Sequence, residues 1–197
     1  MKVPVKCITI DNPATYLFNK YRTAAANHIN CALRTMVANA GNHPAVMSTV
    51  DQLYEDLQNL KLIGILSDRD YDAAAAIAFD VLSGDHESGL NLPDIAHVYD
   101  MHGDTLFTMQ ECQKTVRLAI ATPVNKCLAF LTDKSEEWKE DGWETEEEYH
   151  KFVRKTIHNI MRMGKIIGAT TESDHDIVSE AIKASADSDT PCTITLE

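Results

Sequence analysis

At 197 residues, 44% hydrophobic and 24% charged, the chain is long enough to bury one sizeable core and too apolar for wholesale disorder. Its formal charge of -12 opposes general binding to nucleic acid or anionic lipid, because a polyanion would be repelled. The five cysteines are odd in number and scattered without a C-x-x-C pair, which excludes a zinc ribbon or thioredoxin-like centre and fits a reducing, cytoplasmic setting.

Val3 to Ile10 alternates apolar and polar residues and reads as a short strand, ended by Asp11-Asn12-Pro13. From Ala14 to Ala40 the period becomes helical: Phe18, Tyr21, Ala25, Ile29 and Met36 share one face, and Gly41 stops it. His28 lies at the edge of that stripe, where a half-buried, hydrogen-bonded histidine is expected. Pro44 opens a second helix at a favourable first-turn position. Its Val46, Val50, Leu53, Leu57 and Leu60 step by four and three, a short heptad that suits a helix pair or a small dimer seam.

The third helix begins near Ser67. Asp68, Asp70 and Asp72 imitate the start of a calcium loop, but Ala73 stands where its glycine is needed and Phe79 where its glutamate is needed. Capping explains these acids better, with the alanines Ala73 to Ala76 favouring a helix close to its neighbour and a stop near Ser83-Gly84. A polar loop follows, then a short helix from Pro93 to Met101. Thr108 and Glu111 have capping-box spacing for a helix with Met109, Cys112, Val116 and Ala119 inward. Thr122-Pro123 reads as the cap and first turn of another short helix, Val124 to Leu131.

The last third is organised by charge. An acidic stretch from Ser135 to Asp141 ends at Gly142. Thr145 and Glu148 open a helix expected to run to Met163 with Gly164 as its stop, burying Tyr149, Phe152, Val153, Ile157, Ile160 and Met161. A final helix, Asp174 to Ala186, should bury Ile177, Val178, Ala181 and Ile182. Cys192 to Leu196 reads as a closing strand. No internal repeat, low-complexity segment or domain linker is visible.

Three clusters carry possible chemistry. The first, Asp94, His97, Asp100, His102 and Asp104, is the densest set of metal-ligating side chains, and residues three apart on a helix can share a divalent cation. Such an ion would lower the pKa of bound water and make a nucleophile for phosphoester hydrolysis, although the histidines lack the spacing of H-E-x-x-H. The second is Glu136, Glu137 and Glu140. Their E-E-x-x-E resembles half of the magnesium-holding pattern of all-α nucleotide pyrophosphohydrolases, whose E-x-x-D half is missing downstream. The third is the only basic stretch: Lys151, Arg154, Lys155, His158 and Arg162, continued by Lys165, candidates for contact with phosphates or an acidic partner. No nucleophile elbow, P-loop or dinucleotide fingerprint occurs, and Cys31 three residues after His28 is a weak pair.

The expectation is a mainly α, single-domain bundle of six to eight helices over residues 1–197, with short terminal strands that pair with each other. Without a complete catalytic signature, the chain reads as a non-catalytic acidic binding or regulatory protein without a cofactor, acting on a protein or small ligand. The alternative is a hydrolase of phosphorylated small molecules with one divalent metal ion. Ser67 to Gln110 carries nine acids and one arginine, and Lys151 to Gly168 five basic side chains and no acid. Opposed across a two-fold axis, these segments would make a homodimer around the Val46–Leu60 seam; within one chain they would neutralise each other. No signal peptide or bilayer-length apolar run is seen, so no membrane contact is expected.

Overall fold

The computed structural model describes residues 13–84, 89–90, 108–132, 137–140, 142–186, 188 and 190–196. They form six long helices and one single-turn helix: α1 (Pro13–Ala38), α2 (His43–Leu62), α3 (Asp68–Leu82), α4 (Met109–Phe130), α5 (Glu137–Glu140), α6 (Glu146–Ile167) and α7 (Glu172–Ala186). The chain is mainly helical, and no described helix is long and apolar enough to cross a membrane. Helix α1 packs on α2, α3, α4 and α6, while α4 packs on α6 and α7. One continuous core runs from Tyr21 to Leu196 and draws on every long helix.

The sequence signals for helix starts are realised. Ser67 accepts from the Asp70 amide while Asp70 accepts from the Ser67 amide, and Thr108 and Glu111 make the same reciprocal pair. Thr145 accepts from the Glu148 amide at the head of α6. Each bond satisfies an amide that the first helical turn leaves free.

Four expectations are corrected. No strand occurs among the described residues. The segment at Cys192–Leu196 is not part of a sheet: the Ile194 amide and carbonyl are both bonded by the Asn125 side chain, so a helix residue takes the place of a partner strand there. The proposed N-terminal strand, Val3 to Ile10, lies outside the described residues. Thr122-Pro123 does not start a helix; α4 continues through Pro123, and the Thr122 hydroxyl donates to the Leu118 carbonyl. An interior proline costs on the order of 3 kcal/mol. Here Ile120 and Ala121 before it, and Val124 and Leu128 after it, are all buried, which holds both halves of the helix on one surface.

Gly164 is interior to α6, and Gly168, at φ +81°, ends the helix. A Cβ on Gly164 would stand 2.8 Å from Thr170 Cγ2 and 3.1 Å from Ile120 Cδ1. The glycine is there for close approach. Phe152 and Ile177, expected inside, are 49% and 42% exposed. Of the two readings of the Val46–Leu60 stripe, burial within its own chain fits the helix pair.

The structure also shows a repeat that the sequence hides. Arg22 on α1 donates to the Ile65 carbonyl and to Asp70; Arg117 on α4 donates to the Ala169 carbonyl and to Asp174. Both carboxylates belong to capping boxes, Ser67 with Asp70 and Thr171 with Asp174. Both follow left-handed glycines, Gly64 and Gly168. Asn30 bonds the Leu90 amide and carbonyl just as Asn125 bonds those of Ile194. Lys61 pairs with Asp68, and Lys165 with Glu172.

Burial follows the same register. Tyr21, Ala25, Ile29, Leu33 and Met36 match Val116, Ile120, Val124, Leu128 and Leu131; Leu53, Leu57 and Ile63 match Ile157, Met161 and Ile167; Ala74 and Ala78 match Val178 and Ile182. Thus α1-α2-α3 and α4-α6-α7 follow one plan.

Candidate functional site

The first half of this plan holds an open cleft of about 400 Å³. Helix α1 contributes His28, Cys31, Ala32 and Thr35, spaced so that they fall on one face. Helix α2 contributes Ser48, Thr49, Gln52, Leu53 and Asp56, and Arg162 enters from α6. The volume lies in the range of small-molecule sites.

Asp56 is the centre. It stands on the apolar side of α2, three residues after Leu53 and four before Leu60, and only 2% of its surface is exposed. His28 Nε2 lies 2.7 Å from Oδ2, Gln52 Nε2 donates to Oδ1 at 3.0 Å, and Arg162 Nη2 donates to the same oxygen. Burial pushes the carboxyl upward in pKa. The hydrogen bond from His28, the charge and hydrogen bond of Arg162 and the Gln52 amide outweigh it, so the pKa falls below the ordinary value. With an ionised carboxylate as partner, Nε2 carries the imidazole proton and donates it. Among the described residues, His28 Nδ1 and the remaining Arg162 nitrogens have no protein hydrogen bond, which leaves an unused ring nitrogen and guanidinium donors beside the cleft.

The second half carries different residues at the same stations. Ile160 stands where Asp56 does, fully buried; Pro123 replaces His28, and Gln58 corresponds to Arg162. The small Thr35 and Ser48 become Phe130 and Phe152. Phe130 meets Tyr149 edge-on at 6.4 Å, and Phe152 lies 4.9 Å from Trp143. One half places polar groups at these stations and the other aromatic rings, although Phe152 is half exposed and lines a hollow of its own, about 310 Å³, with Gln58 and Thr156. The shared plan therefore does not require the charged cluster.

Of the basic candidates, Arg162 reaches the cleft, Lys155 pairs with Glu55 at 2.6 Å, and the His158 ring bonds the Arg154 carbonyl at 2.8 Å. Lys151 is exposed and Arg154 half-buried on the same helix. Glu55 also accepts from Asn159 at 3.0 Å, so Lys155 and Asn159 of α6 both meet α2. The metal candidates Asp94, His97, Asp100, His102 and Asp104 lie outside the described residues, as do the side chains of Glu136, Glu137 and Glu140. Among the described residues no three His, Cys, Asp or Glu side chains are placed to share a metal ion. Asp68 and Asp70 are engaged with Lys61 and Arg22.

The half-buried, bonded His28 matches its expectation. Asp56 was missed, although a carboxylate at a stripe position of an amphipathic helix was a readable signal. No protein-family model matches the chain, and neither a curated protein nor a solved structure is found similar to it.

Proposed function

We propose that this is a non-catalytic binding protein whose site for a small ligand is the cleft between α1 and α2. One observation carries the reading: the same helical plan carries Phe130, Phe152 and the apolar Ile160 in one half, yet in the other borders a cleft around a buried, hydrogen-bonded Asp56. Buried charge clusters are a poor source of stability, so an apolar counterpart at Ile160 favours a role in recognition. Catalysis by Asp56 has less support. Its carboxylate is held ionised by three donors, which suits positioning His28 and Arg162 better than exchanging protons with a substrate. The metal-dependent hydrolase reading rests on Asp94 to Asp104 and draws nothing from the described residues.

The test is a thermal-shift screen of carboxylic acids, phosphate esters, amines, sugars and nucleosides on the intact chain and on Thr35→Phe/Ser48→Phe. Those substitutions install the second half's residues in the first. Compounds that raise the melting temperature of the original chain should have no effect on the plugged variant, provided it keeps its helical circular-dichroism spectrum. A screen without stabilising compounds, or hits that survive the plug, would defeat the reading.

A further inference from the structure

We infer that the ligand carries a small oxyanion, a carboxylate or a phosphate monoester, held by Arg162 with His28 as second donor; this rests on the cleft being the binding site. Arg162 donates to Asp56 through Nη2 alone in the described contacts. That bond fixes one edge of a planar guanidinium, which has five N–H groups in a rigid fork suited to bidentate oxyanions. The rest of the fork has no described partner, and the side chain is 37% exposed.

His28 is oriented in a similar way. Asp56 takes Nε2–H, so the second ring nitrogen is the one left for a ligand, and on protonation it becomes a donor.

The hydroxyls restrict the choice further. Thr35 and Thr49 give their protons to the Cys31 and Ala45 carbonyls at 2.9 Å each, so their oxygens are left as acceptors. Donors to an anion therefore come from Arg162, His28 and Ser48, which has no hydrogen bond among the described contacts. The second half has neither cation: Pro123 and Gln58 stand at the two stations. The two positive groups line the cleft of the first half, and neither has a cationic counterpart at the matching station of the second.

The test uses succinate and inorganic phosphate as probes, with succinamide as the uncharged analogue of the first. Binding to the intact chain is followed by calorimetry and by the His28 ring signals in NMR spectra. At least one anion should bind with a Kd below about 10 mM and shift His28, and succinamide should not. Arg162→Gln should weaken binding by about tenfold or more, and Arg162→Lys should recover part of it, because lysine keeps the charge but loses the fork. Asp56→Ile/Arg162→Gln, which leaves no orphaned buried charge, guards against misfolding and should also fail to bind. Whether succinate or phosphate binds separates the carboxylate from the phosphate source. Anion binding indifferent to Arg162→Gln overturns the inference. So does a neutral compound that occupies the cleft and is excluded by Thr35→Phe/Ser48→Phe while neither anion binds; the binding function then survives. Failure of every compound overturns both.

Discussion

Asp56 and Ile160 occupy the same station on two helices built to one plan: the first is a carboxylate with 2% of its surface exposed, the second an isoleucine with none. Truncating the acid alone strands Arg162 and His28. Asp56→Ala should therefore destabilise the protein by about 3–5 kcal/mol. Asp56→Ile/Arg162→Gln instead copies the second half and removes charge and counter-charge together. It should fold within about 1 kcal/mol of the original chain, or more stably. Urea unfolding of the three proteins decides this; a double variant as weak as Asp56→Ala would mean that the cluster is structural.

Acid should act through the arginine clasps. Burial raises the Asp70 carboxyl, but hydrogen bonds from Arg22 and Ser67 and the Arg22 charge hold it at about 2, against 3.8 when free. A depressed folded pKa means that stability is fully present above the unfolded value and is lost as pH falls through the folded one. The gap between the original chain and Asp70→Asn should thus narrow by about 1–2 kcal/mol as pH drops from about 4 to about 2. Asp174, depressed despite burial by the Thr171 and Arg117 bonds, should show the same direction. A gap independent of pH in that window would contradict the assignment.

Close approach at Gly164 predicts a specific rescue. Gly164→Ala drives a methyl against Thr170, at 2.8 Å from Cγ2 and 3.0 Å from Oγ1, and should cost about 1–3 kcal/mol. Thr170→Ala removes both atoms, and the buried Thr170 hydroxyl has no hydrogen-bond partner to lose. Most of the loss should therefore return in the double variant. Additive losses in denaturant titrations would show that the helix is displaced elsewhere.

Asn30 and Asn125 each exchange two hydrogen bonds with one distant residue, Leu90 or Ile194. Asn125→Ala should release the C-terminal segment, speeding amide exchange at Ile194 while leaving α4 protected, with a global cost of about 1–3 kcal/mol. Asn30→Ala should act on Leu90 in the same way. Unchanged protection at Ile194 would mean that burial of its side chain alone holds the segment.

Local chemistry determined the helices. Ser67 with Asp70, Thr108 with Glu111 and Thr145 with Glu148 were readable as starts because a cap depends on residues three apart, and the stripes of α1 and α2 because one face repeats with the helical period. Where the outcome depended on distant residues, the sequence was silent or misleading. Pro123 and Gly164 look like boundaries, yet both are interior, because burial on both sides of Pro123 and the nearness of Thr170 and Ile120 to Gly164 outweigh local preference. Asp56 shows no partner in its own helix except Gln52; His28 and Arg162 arrive from α1 and α6. The two-fold repetition was hidden for the same reason. It persists in buried positions and in polar clasps such as Arg22 with Asp70 and Arg117 with Asp174, and packing constrains size and polarity far more than identity. Only tertiary structure brings those positions into register, and with them the contrast between the charged cluster around Asp56 and its apolar counterpart around Ile160.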